Sequence, residues 1–164
     1  MQDKSGQGAM SEAWRSEVTA LITEFCWRAD SGRHAELVAL FAQDGRFIIP
    51  DLPLESGKEV VYHGHDQLRQ RWGGKVTHAT CHIVSLPRLE RTSETTASGA
   101  TNLISYRGAL HGMRSAREPF IVGRFDDQYV HVDGRWLIAE RRLVVQFAGE
   151  ALRQGMPVPH TPGA

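Results

Sequence analysis

The sequence predicts an α+β domain. Three observations carry that expectation. Apolar residues in the first third of the chain recur mostly at steps of three and four, the period of a helix face. From Thr77 onward the period drops to two, the mark of half-buried strands. Asp133-Gly134 sits between two such strands as a two-residue hairpin turn. Helices first and antiparallel strands later make an α+β domain rather than a βαβ repeat.

The first helix is expected from about residue 12 to 30, with Ser11 as its N-cap, Glu12 in its first turn and Trp14 opening its apolar face. Val18, Leu21, Ile22, Phe25, Cys26 and Ala29 continue that face, and Ser31-Gly32 ends it. A short second helix, His34 to Ala42, carries Leu37, Leu40 and Phe41. Arg46 to Ile49 reads as a strand stopped by Pro50, and residues 50–58 as a loop. Glu59 to Tyr62 is a short strand, and Gly64-His65-Asp66 opens a third helix with Leu68 and Trp72 on one side. Four strands follow: Thr77 to Glu90 with a bend near Pro87, Thr95 to Arg107 with a bulge or twist at Gly99, Phe120 to Val132, and Arg135 to Phe147. Residues 108–117 are a polar loop between the second and third of them.

Domain bounds follow from the same pass. Residues 1–10 (MQDKSGQGAM) are polar and Gly-rich and are expected as a disordered arm, with Met10 a possible natural start. Residues 11–147 form the folded domain. Residues 148–164 hold three prolines and three glycines and are expected as a tail without regular structure.

Composition narrows the partners. Lys plus Arg and Asp plus Glu number 19 each, so no net field of either sign recruits nucleic acid or an anionic membrane surface. No apolar run is long enough to span a bilayer. Cys26 and Cys81 lack CxxC spacing and read as free buried thiols of a reducing compartment, which points to the cytoplasm. Eight histidines invite a search for metal ligands. His78 and His82 share a strand face but lie about 13 Å apart at roughly 3.3 Å per residue. His63-Gly64-His65 has no further ligands nearby, so no metal and no cofactor are expected.

A curved sheet must bury its concave face. Helices cover only part of it, and the gap is a natural ligand pocket. Asp30 continues the apolar row of the first helix and opposes the helix dipole in its last turn. Such a break of local preference marks either a functional position or a solvated Asp neutralised by Arg28 or Arg33. His82 is either a structural histidine or, beside a buried Asp, a general base near neutral pH. Asn102, Tyr62, Tyr106 and Tyr129 are possible donors to a developing oxyanion. Arg141-Arg142 places one Arg on each face of the last strand. No GxSxG elbow, Walker loop or HExxH motif is present.

The order of these pieces resembles a known family. AELVALFAQDGRF, then Gly64-His65-Asp66-Gln67-Leu68, then a Thr-x-His strand, then DGRWLIAERRL is similar to the SnoaL-like branch of the nuclear transport factor 2-like superfamily over about residues 12–147. The resemblance implies a cone-shaped α+β barrel, with three N-terminal helices on a strongly curved, mixed, mostly antiparallel sheet. It also implies an apolar pocket and a homodimer or higher homo-oligomer through the sheet. Members of the scytalone dehydratase and bile acid 7α-dehydratase type pair an Asp at the end of the first helix with a His on the long strand. Those positions match Asp30 in RADSGRHAEL and His82. The second His of the family pair is Ile83 here, the family Asn is Leu86, and the Tyr that some relatives carry in the first helix is replaced by the stretch Phe25-Cys26-Trp27.

The expected function is therefore a cofactor-independent lyase of the dehydratase type, or an isomerase. Asp30 and His82 are its acid–base pair, and its substrate is a small hydrophobic molecule: aromatic, polyketide-like, steroid-like or lignin-derived. Cys26, Trp27, Phe47, Tyr62, Trp72, Asn102, Tyr106 and Arg141 are the expected pocket residues. Two alternatives stand beside it: a non-catalytic binding or assembly subunit like the small subunit of ring-hydroxylating dioxygenases, and an epoxide hydrolase built on an Asp–Arg–Asp arrangement. The loops at 50–58 and 108–117 are expected to gate the pocket, and the tail with Met156 to cover its mouth or a neighbouring subunit.

Overall fold

Helix α1 (Ser5–Asp30) lays Trp14, Val18, Leu21, Ile22, Phe25 and Cys26 into the core at the spacing the sequence shows. The computed structural model describes residues 5–111 and 118–153. The helix begins at Ser5, so part of the expected arm is helical in backbone; Met156 and the rest of residues 154–164 lie outside the described residues. A 3-10 helix (His34–Leu40) buries Leu37, Val38 and Leu40, and α2 (Gly64–Trp72) buries Leu68 and Trp72. These three helices cover one face of the sheet.

The sheet has seven strands: β1 (Phe41–Pro50), β2 (Glu59–His63), β3 (Ala79–Val84), β4 (Arg88–Arg91), β5 (Thr96–Gly108), β6 (Ile121–Val132) and β7 (Arg135–Ala148). They run in the order β2-β1-β7-β6-β5-β3, with β4 paired to β5 beyond the end of β3. Only β1 and β7 pair in parallel; every other pairing is antiparallel. The result is a curved, mixed, unclosed sheet, the cone-shaped α+β arrangement expected.

Several boundaries differ from the sequence reading. The second helix ends at Leu40, and Phe41 and Ala42, expected to be helical, already belong to β1. Phe41 pairs with Ile138 and its register with β7 is irregular before Arg46, so pairing to a central strand overrides helical periodicity. The strand through Pro87 is interrupted at Ser85-Leu86-Pro87 rather than merely bent, because proline offers no N–H to the ladder. Gly99 is not a bulge: its pairing with Leu89 and Asp127 is regular, and it is small because a Cβ would stand 2.6 Å from Leu89 Cδ2. The irregularity falls instead beside Gly123, where a Cβ would meet the Val144 carbonyl oxygen at 2.1 Å. Asp133 and Gly134, at φ 50° and 78°, make the predicted hairpin turn. The tail is not wholly irregular: α3 (Glu150–Arg153) forms one short helix and buries Leu152.

Phe25 is the hub of the core. Its ring lies 5.9–6.3 Å from those of Phe41, Phe47, Trp72 and Phe125, at tilted or edge-on angles. Cys26 is a buried free thiol as expected, whereas Cys81 is exposed on the outer face of β3. Among the described residues no helix is long and apolar enough to cross a membrane.

Candidate functional site

The end of α1 meets β3 through Asp30. Its Oδ1 accepts a hydrogen bond from the His82 Nδ1–H at 2.6 Å and from the Thr80 hydroxyl at 2.9 Å. Its Oδ2 accepts the His82 backbone N–H at 2.8 Å. Thr80 and His82 are two apart on one strand, so both face the helix end. Burial by itself would raise the Asp30 carboxyl. The hydrogen bonds from the His82 ring and backbone, the His82 charge and the Thr80 hydroxyl outweigh it and hold Asp30 below the ordinary carboxylate range.

The basic neighbours that might have neutralised a solvated Asp30 are engaged elsewhere. Arg28 donates to Glu24 and to the Glu36 carbonyl, and Arg33 forks onto Glu36. Asp30 is thus committed to β3, where it holds His82 and accepts from Thr80. With Nδ1–H turned to Asp30, His82 keeps its Nε2 lone pair for a reacting proton.

His82 stands on the wall of a cavity of about 220 Å³. Phe25, Leu37, Phe47, Trp72, Leu103 and Phe125 supply its apolar lining. Pro50, Leu52 and Leu54 of the loop after β1 reach it, as does Leu152 of α3. The loop at 50–58 therefore borders the cavity, while residues 112–117 of the other expected gate lie outside the described residues.

Of the eight expected pocket residues, Phe47 and Trp72 line this cavity; the other six do not. Trp27 is 62% exposed, since positions 25 and 29 of α1 turn toward the cavity and 27 turns away. Cys26 packs in the core, where burial pushes its thiol up to about 11. Tyr62 is buried behind Arg71, whose guanidinium lies 5.7 Å from its ring. On β5 the inward residues are Leu103, Ser105 and Arg107, so Asn102 and Tyr106 point outward, one residue out of phase.

Arg141 is fully buried but sealed off. Asp127 accepts from its Nε at 2.9 Å and its Nη2 at 2.7 Å, and Tyr129 donates to the same carboxylate at 2.5 Å. The Phe25 and Phe125 rings each lie 4.3 Å from its guanidinium carbon. The Asp127 carboxylate holds Arg141 firmly protonated against the cost of burial.

Sequence reasoning missed two cations. Arg71 of α2 and Arg107 of β5 both line the cavity, with His34, His78 and Lys75. Arg107 shares the inward parity of Leu103 and Ser105, so phasing β5 on its buried positions would have found it. Arg71 adjoins Trp72 and carries no comparable signal. Among the described residues no group of three or more His, Cys, Asp or Glu is placed to hold a metal ion. His65 instead bonds the Phe41 carbonyl at 3.1 Å.

A family model for a SnoaL-like domain matches residues 13–142. The chain belongs to the SnoaL-like family. No curated protein matches this SnoaL-like chain in sequence. Among solved structures it is similar to a candidate scytalone dehydratase from Novosphingobium aromaticivorans, at 20% identity and a TM-score of 0.67 over 82% of this chain and 85% of that one. It is also similar to a type 2 hexachlorocyclohexane dehydrochlorinase, LinA, at 16% identity and a TM-score of 0.67 over 87% and 90%. A third is the beta subunit of a candidate aromatic-ring-hydroxylating dioxygenase from N. aromaticivorans, at 12% identity and a TM-score of 0.70 over 85% and 94%. At these identities the likeness establishes a shared SnoaL-like fold.

Proposed function

We propose that this SnoaL-like protein is a cofactor-independent lyase of the dehydratase type, or an isomerase, acting on a small hydrophobic molecule in the cavity. The observation that carries the reading is the 2.6 Å contact between Asp30 and His82 at the cavity wall. In the dehydratase form, His82 Nε2 takes a proton from a carbon beside a carbonyl or phenol-bearing group. The C–H electrons become a C=C bond as the C–O bond to the neighbouring hydroxyl breaks. The imidazolium returns its proton to that hydroxyl, which leaves as water. In the isomerase form, the proton goes back to another carbon. Asp30 fixes the tautomer and stabilises the cation between the two transfers. Two relatives in structure bear elimination names, a dehydratase and a dehydrochlorinase, and their names support this class.

The test is proton exchange followed by turnover. Incubated in D2O with small aromatic β-hydroxy ketones, the protein should label the activated carbon and release the dehydrated or rearranged product, read by NMR and mass spectrometry. H82N and D30N should each lower the rate about 10²–10⁴-fold with an unchanged circular dichroism spectrum. Equal rates in wild type and either variant overturn the reading.

A second reading is a non-catalytic binding or assembly subunit. The likeness to a dioxygenase beta subunit supports it, as does an outward apolar row of register-paired residues, Ile83, Ile104, Val122 and Phe147, running across four strands. Absence of any exchange or turnover, with partner-dependent solubility, favours it. The same row supports a homodimer through the sheet, for which light scattering of wild type against I104E is the measurement. Epoxide hydrolysis draws no support, because the described Asp127–Arg141 pair is closed in the core and Asp30 is committed to His82.

A further inference from the structure

Two guanidiniums stand on the cavity wall without a counter-charge. Arg71 and Arg107 line it, and among the described residues no Asp or Glu does. The Nε atom of each is shielded from solvent and makes no hydrogen bond among the described residues. Elsewhere this fold gives a buried arginine a counter-charge: Arg141 has a two-pronged carboxylate and a tyrosine on that carboxylate, although its Nη1 also makes no hydrogen bond. Arg71 and Arg107 are half-buried, and a cation partly withdrawn from water with no carboxylate beside it is suited to an anionic partner from outside the chain.

Aromatic faces brace both cations. Arg107 stacks on Phe120 with its guanidinium carbon 4.4 Å from the ring centre, and Arg71 lies over Tyr62. Aromatic faces fix the planes while leaving N–H groups at the edges. Burial, then the Arg71 charge, brings Arg107 down to about 10, and burial with the Arg107, His34 and Arg71 charges brings His78 down to about 4. His78 is therefore neutral near pH 7, and the positive charge at this wall is that of the arginines and Lys75.

Register places this charge relative to the base. On β3 and β5, His82 pairs with Ser105 and Thr80 pairs with Arg107, all facing inward. Arg107 is thus one inward step from the residue opposite His82, roughly 7 Å along the strand.

We propose that Arg71 and Arg107 bind a carboxylate carried by the substrate, so that the cavity takes an organic acid with an apolar body whose reacting carbon lies a few bonds from that carboxylate. Planar guanidiniums match a carboxylate's two oxygens, and the apolar lining matches the rest of such a molecule. What happens to the bound acid rests on the acid–base reading above; its capture does not.

The experiment compares 2-naphthoate with 2-naphthamide, equal in shape and different in charge, by calorimetry and by Trp fluorescence. Wild type should bind the acid at least about 10-fold more tightly, the value of one or two charge-assisted hydrogen bonds. The double variant R71Q/R107Q should bind the two alike and keep the amide's affinity. H82N and D30N should keep the preference, so loss of turnover in them leaves the arginine assignment standing. Equal binding of acid and amide, failure of both to bind, or a preference that survives R71Q/R107Q overturns the proposal. Tighter binding of 2-naphthyl phosphate than of the acid assigns the arginines to a phosphoryl group and overturns the carboxylate. The wild-type comparison needs no variant, so a double variant that does not fold leaves the test intact.

Discussion

The Asp30 carboxylate holds His82 twice, taking the ring N–H on one oxygen and the backbone N–H of the same residue on the other. A single contact would leave the imidazole free to swing. Two contacts from one carboxylate tie its orientation to the strand that carries it. They also explain why an acid sits at the C-terminal end of a helix, where the dipole disfavours it by about 0.3–1 kcal/mol: hydrogen bonds to a charged group are worth about 1.5–3 kcal/mol.

Thr80 shares the load on that carboxylate. Removing its hydroxyl at near-constant shape, in T80V, should raise the Asp30 pKa and slow turnover about 10-fold, with little change in KM. Carboxyl-carbon NMR titration and steady-state kinetics check the two halves. A T80V enzyme with unchanged kcat would mean that His82 needs only its own two bonds.

Mild acid should already destabilise the protein. His78 is held down to about 4 from an ordinary 6.5, so its neutral form belongs to the folded state. As the pH falls below about 6.5 the unfolded chain takes up a proton that the folded chain refuses until about 4. Stability therefore declines across that window and the loss levels off beneath it. Asp30 acts in the same direction lower down: its contribution is present above the ordinary carboxylate pKa and is lost as pH falls through its depressed folded value. Urea unfolding at pH 7 and pH 5 should show the first decline, and H78Q should flatten it.

The core ion pair gives a stability prediction independent of catalysis. D127N leaves Arg141 buried with half its partner gone and should cost about 3–5 kcal/mol. The double replacement D127L/R141M should recover most of that loss, since an apolar pair of similar volume needs no solvation. Chemical denaturation of both variants measures it. A D127N protein as stable as wild type would show that water reaches the site.

How much of this was legible in the sequence depends on which rule governed each residue. Val18 to Ala29 obey one period over three turns, and α1 came out with its apolar face correct. Asp30 was visible because it interrupts that period, and His82 because the strand has a period of two and a family likeness set its phase. Phase was also the weak point. Asn102 and Tyr106 are expected in the pocket, yet their neighbours Leu103, Ser105 and Arg107 face it, a phase that only the buried positions of β5 reveal. Arg141 is expected in the pocket and Asp127 carries no signal of its own; only pairing across β6 and β7 puts the two together in the core. Phe41 was drawn into a helix because its pairing with Ile138 lies almost a hundred residues away.

The strand order also bears on how the chain is made. The last strand, β7, is not an edge but lies between β1 and β6. Until it emerges from the ribosome, β1–β2 and β3–β6 share no strand pairing, and each has an open flank of unmet backbone groups. The Asp30–His82 pair spans these pieces, one residue before β1 and the other in β3. Its stable assembly is therefore expected to wait for the end of translation, and a ribosome stalled before residue 135 would hold a chain with both Asp30 and His82 and no completed sheet to support them.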